Sequence, residues 1–167
     1  MPPAVIFLIQ LILGYAPWLL LMGAYGWPRL KAMDPAQAQR AIAMLHSFRF
    51  FGLVFVLPGV VGQGLPAGFA TPAAYGDFAA GLLAMLALLT FKTRPLFWLF
   101  VIAFNLVGLA DLLVDYADGV RFGLPQQAGE LASTYGILML YVPGLMITHM
   151  LAFYLLIKRP QPEAANA

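Results

Sequence analysis

Residues Ala4–Trp27 read AVIFLIQLILGYAPWLLLMGAYGW, and this run decides the fold. Gln10 is its only strongly polar residue. A bilayer's hydrocarbon core, about 30 Å thick, takes roughly 20 mainly apolar residues as an α-helix. No basic cluster precedes the run, and it is too long for the apolar part of a cleavable signal. It therefore reads as a retained membrane anchor.

Four further stretches have the same character. The second follows Asp34-Pro35-Ala36-Gln37, where Asp suits an N-cap, Pro the first helical position and Gln the return bond of a capping box. That helix starts at Pro35, enters lipid near Ala41 and carries His46 and Arg49 ahead of the apolar run Phe50–Val61. Thr71-Pro72 opens the third, which contains Asp77. The fourth runs from Pro95 to Asp115 through Asn105 and Asp111. The fifth lies between Thr134 and Ile157, with Pro143-Gly144 inside it. Pro143 should kink that helix, because it removes one backbone hydrogen bond and its ring displaces a carbonyl. The expected fold is all-α: one transmembrane domain over 1–167, with spans at about 4–27, 41–62, 72–91, 95–115 and 134–157. A membrane β-barrel would need alternating runs half this length.

Composition agrees. Hydrophobic residues make up 62% of the 167 residues and charged ones 10%, and mean hydropathy is +0.86. A soluble domain has roughly 45–50% and 25% respectively. A soluble enzyme, a disordered tail and a nucleic-acid module are thereby excluded. The formal charge of +2 is too small to imply an anionic polymer as partner. Without cysteine there is no disulfide, Cys-zinc site or iron–sulfur cluster.

Basic residues set the expected orientation. Arg29, Lys31, Arg40, Lys92, Arg94, Lys158 and Arg159 fall at one set of span ends, whereas the opposite loops hold only Arg121. By the positive-inside rule the N-terminus is outside and the C-terminus cytoplasmic, in a cell membrane of the bacterial inner-membrane kind. Trp27 and Trp98 then lie near the inner interface, and Tyr75, Tyr116 and Tyr135 near the outer one.

Ionisable groups inside lipid each cost about 2.5–3.5 kcal/mol on insertion scales. They sort into two layers by depth. Toward the outside are Asp77 on the third span and Asn105, Asp111 and Asp115 along one face of the fourth. These are candidate ligands for a cation, a proton or a small polar solute, with Asp77 and Asp111 sharing a water, proton or ion. The structural alternative has each carboxylate capping loop amides or pairing with Arg121. Toward the cytoplasm are His46, Arg49 and His149. Two histidines at matched depth on different helices can ligate a b-type haem. The alternative has His46 at the interface beside a snorkelling Arg49, and His149 bonded to a carbonyl freed by Pro143. No cofactor is called for by the remaining pattern: P-loop, G-x-S-x-G and H-E-x-x-H motifs are missing.

Three stretches carry a resemblance: LPAGFATPAAYGD at 65–77, NLVGLADLL at 105–113, and Val142-Pro143-Gly144 followed by His149. They are similar to a group of small, mostly bacterial multi-pass membrane proteins without an assigned activity. Members show a Gly-Asp pair opening helix three, an Asn…Gly…Asp stripe on helix four, and proline then histidine in the last helix. Phe104 stands where that group tends to carry tryptophan. The resemblance covers roughly residues 41–155 and gives weight to Gly76, Asp77, Asn105, Gly108, Asp111, Pro143 and His149 as a set. It supplies no substrate.

Two functions fit these observations. One is a transporter-like protein with an outward-side carboxylate site, working as a homo-oligomer because five short spans enclose little space. The other is a non-catalytic accessory or assembly subunit of a larger membrane complex. A haem-holding redox protein is a third. The partner common to all is the lipid bilayer, and none involves nucleic acid.

Overall fold

The computed structural model describes residues 1–158 and is helical throughout, with no strand among them. Arg159, one of the orienting cations, lies outside the described residues. Helix α1 (Pro3–Leu21) passes through a π-helical turn at Met22–Gly26 into α2 (Trp27–Ala32), so one rod covers Pro3–Ala32. After it come α3 (Pro35–His46), a 3₁₀ helix (Ser47–Val56), α4 (Ala67–Leu89) and α5 (Arg94–Arg121). A second 3₁₀ segment (Leu124–Thr134) and a π-helical turn (Ile137–Tyr141) lead into α6 (Val142–Ile157). Four of these rods are long and apolar enough to cross a membrane: Pro3–Ala32, Ala67–Leu89, Arg94–Arg121 and Ile137–Ile157.

The stretch expected as a second span is different in kind. Asp34 caps α3 as its sequence suggests, its carboxylate accepting from the amides of Ala36 (2.9 Å) and Gln37 (3.4 Å). The helix then tightens to three residues per turn from Ser47. Residues three apart eclipse one another in such a helix, so Arg49, Gly52 and Phe55 all face inward and are buried. A uniform α-helix would rotate each successive member of that series by about 60° away from the core. Tertiary packing against α4 has overridden the commoner geometry.

Helix α4 begins five residues earlier than Pro72 suggests. Phe69 and Ala70 donate to the Pro66 carbonyl and bury their side chains in an apolar cluster with Phe55, Ala73, Leu124 and Leu131. That burial offsets the bond lost at Pro72. A second apolar cluster, built on Ile42, Ala84, Ala87, Phe97, Val101, Phe104 and Ala152, fills the other end of the bundle. Between the two clusters lies a polar layer.

Pro143 leaves a π-helical turn on its N-terminal side, and α1 is fitted to that turn. The carbonyl of Met139 loses the helical partner it would have four residues on, because Pro143 has no N–H. Trp18 donates its indole N–H to Leu140 O at 2.6 Å. Gly14 lies so close to Met139 O that a side chain there would collide with it.

Candidate functional site

Arg49 occupies the centre of the polar layer and is wholly buried, at 0% exposure. Glycines let the surrounding elements close in on it and on its partners. A Cβ at Gly52 would strike the Asp77 side chain, one at Gly81 would come within 2.7 Å of the Phe50 amide nitrogen, and one at Gly76 would strike Asp111. A Cβ at Gly108 would stand 2.6 Å from His149 Nε2 and closer still to the guanidinium. Helices α4 and α5 and the 3₁₀ helix therefore approach one another around a single side chain.

Four N–H groups of the guanidinium are directed to partners. Nε donates to Asp77 Oδ1 at 2.6 Å and Nη2 to Asp111 Oδ2 at 2.5 Å. Nη1 donates to Gly108 O at 3.1 Å and to His149 Nε2 at 3.1 Å. Arginine has no acceptor, so His149 Nε2 must accept and its proton sits on Nδ1. That Nδ1–H donates to Asn105 Oδ1 at 2.9 Å, while Asn105 Nδ2 donates to Val101 O at 2.8 Å. Both Asn105 and His149 are fixed in orientation by this chain.

The two layers inferred from sequence are thus one network. Asp77 and Asp111 do meet, but through a guanidinium rather than a water or a shared proton. The structural alternatives also change. Arg121 is exposed and lies near Asp118, at 3.9 Å, and over the Phe122 ring, and Arg49 is buried rather than snorkelling. His149 takes no carbonyl freed by Pro143.

His46 lies against His149, with ring centroids 4.0 Å apart and planes tilted by 47°. Its Nε2 lies 2.9 Å from Thr148 Oγ1, whose hydroxyl has Gly144 O (2.8 Å) and Leu145 O (3.0 Å) within reach. With the hydroxyl proton given to a carbonyl, His46 Nε2–H donates to Thr148. His46 Nδ1 is buried without a hydrogen-bond partner, as is Oε1 of Gln39, whose Nε2 donates to Ala152 O at 2.9 Å. Axial ligands must each turn a free nitrogen toward one iron from opposite sides, whereas His149 has both nitrogens engaged. The two rings touch each other at a tilt instead of turning free nitrogens toward one metal position.

Thr148 and Gln39 are polar members that the sequence reading missed. Their signals were present, since Thr148 precedes His149 and Gln39 lies two helical turns before His46. Neither residue is costly enough in lipid to attract notice alone.

Asp115 stands apart from the network. No hydrogen bond or ion pair reaches it among the described residues; its carboxylate lies on the wall of a cavity of about 290 Å³. The same cavity reaches Asp77 and is otherwise walled by α1, Phe55, Phe69, Tyr116 and the Leu124 segment. Its rim includes Val120, which is 83% exposed. One guanidinium stands here among three carboxyl groups, those of Asp77, Asp111 and Asp115. Chemically the site offers two carboxylates already ion-paired, one carboxylate unpaired, and a neutral imidazole pair beneath them.

Residues 6–157 match the family model described as a domain of unknown function, DUF8737, so the chain belongs to that family. No curated protein and no solved structure matches it.

Proposed function

We propose, taking membership of DUF8737 as the premise, that this chain is a five-span cell-membrane protein that carries a cation by way of Asp77. One observation carries the reading: Asp77 lines the open cavity and also holds Arg49. A cation settling in the cavity competes with the guanidinium for that carboxylate. Arg49 then relies on Asp111, Gly108 O and His149, and the charge at the centre of the bundle redistributes.

Five crossings follow if α3 and its 3₁₀ continuation cross as a pair. Twelve α-helical residues and ten 3₁₀ residues extend about 38 Å at roughly 1.5 and 2.0 Å per residue. That is enough for a bilayer core. The basic residues favour an outside N-terminus, which puts the cavity on the outer side and the C-terminus in the cytoplasm.

The test is uptake into vesicles reconstituted with the protein, driven by an inside-negative potential, for a panel of inorganic and organic monovalent cations. Saturable uptake of a panel member, reduced about tenfold or more by Asp77→Asn while the folded fraction is kept, supports the reading. Protein that transports none of them, yet co-purifies stoichiometrically with another membrane protein, favours an accessory subunit instead.

A further inference from the structure

The outer cavity has a chemistry of its own. Its polar groups are Asp115, Asp77 and Tyr116, and no lysine or arginine lines it. The Tyr116 hydroxyl is already engaged, 2.7 Å from that of Tyr15. Four aromatic rings contribute to the wall: Phe7, Phe55, Phe69 and Tyr116. Phe55 and Phe69 meet edge to face, with centroids 5.9 Å apart and planes at 79°.

An inorganic cation would lose its water here without recovering it, because hard cations want about six oxygen ligands. A primary ammonium would bring three donors to a wall with few free acceptors. A zwitterionic lipid headgroup would set its phosphate beside carboxylates with no cation to meet it. A quaternary ammonium has no N–H to satisfy, is weakly hydrated, and is attracted by aromatic faces and by a carboxylate at short range. The volume, about 290 Å³, falls at the small end of ligand pockets, roughly 300–1,000 Å³.

We infer that the cavity between the N-terminal half of α1 and the C-terminal part of α5 binds a small quaternary ammonium bearing an apolar group, with Asp115 as counter-ion and Phe7, Phe55, Phe69 and Tyr116 as its cage. The inference rests on the proposed cation-carrying role for its biological setting but makes a separate claim about binding. Asp115 is assigned as the counter-ion because Asp77 is already held by Arg49. The apolar group lies along Leu8, Leu11 and Leu138 toward α1.

The probe is benzyltrimethylammonium, with neopentylbenzene as a control of the same shape and no charge. Both are titrated calorimetrically into full-length protein in lipid nanodiscs, with empty discs subtracted. One-to-one binding of the cation is expected, with the neutral control at least about tenfold weaker. Asp115→Asn should weaken the cation about tenfold and leave thermal stability unchanged, since Asp115 makes no bond within the protein. Gly119→Met, which puts a long side chain on the cavity wall one turn after Asp115, should abolish binding of the cation. Absence of binding to the wild type, or equal affinity in Asp115→Asn, overturns the inference. Asp77-dependent uptake of an inorganic cation alongside either result would leave the transport reading standing without it. Binding with no uptake of any cation would uphold the quaternary-ammonium site and remove the transport reading.

Discussion

Arg49 has a large desolvation cost, met by partners from α4, α5 and α6. Removing one member of a buried ion pair leaves the other charge uncompensated, which costs about 3–5 kcal/mol. Arg49→Met should therefore destabilise the protein by that order, read as a lowered unfolding midpoint in mild detergent. Adding Asp77→Asn and Asp111→Asn to Arg49→Met should restore much of the loss, because no charge is then stranded. If the triple variant is as unstable as the single one, packing rather than charge is the cause. Gly108 gives a second check. Its Cβ would collide with Arg49 and His149, so Gly108→Ala should cost about 1–3 kcal/mol as overpacking. Gly23→Ala, where nothing lies within 4 Å, should be neutral or stabilising by up to about 1 kcal/mol.

Among the elements, the i,i+3 spacing of His46 and Arg49 was legible, but the 3₁₀ helix that continues it to Gly52 and Phe55 was not. Depth reckoned at 1.5 Å per residue put Arg49 in the cytoplasmic layer with His46. The 3₁₀ rise of about 2.0 Å per residue carries it further toward the carboxylates, and a long side chain completes the reach. The sequence reading did not bring Arg49 to the two carboxylates, because that partnership depends on a helix type that propensity does not announce. Asp34 as N-cap was legible for the opposite reason: a cap is local. Pro143 was legible as a disturbance, yet its consequence lay on another helix, where Trp18 and Gly14 are fitted to the carbonyls of Leu140 and Met139. Trp18→Phe keeps the ring and removes the indole donor, so it should cost about 0.5–1.5 kcal/mol. It should also speed hydrogen exchange in α6 around Gly144. Unchanged exchange there would show that water serves Leu140 O equally well.

At the scale of the molecule, the two apolar clusters and the polar layer divide the bundle into thirds, and the basic residues gather at one end. Several of them lie over aromatic rings there: Arg40 is 4.6 Å and Arg94 5.0 Å from the centroid of Phe91, and Lys158 is 4.8 Å from that of Tyr154. Alkaline phosphatase fused after Arg159 should be inactive, and fused within 120–130 active, if that end is cytoplasmic. The reverse pattern refutes the orientation, and activity at both sites refutes the single crossing between them.

The shared guanidinium also bears on how the chain is made. Arg49 leaves the ribosome 28 residues before Asp77 and 62 before Asp111. During that interval its segment carries an unpaired cation whose insertion costs about 2.5–3.5 kcal/mol at mid-bilayer. If residues 35–56 cross the bilayer as proposed, their integration should therefore be deferred until the following two helices have been synthesised. Nascent chains arrested short of Asp77 should leave that segment accessible to water-soluble labels, and chains extended past Asp111 should shield it. Birth order, and not only the finished contacts, is thus written into which helix holds the arginine and which hold the acids.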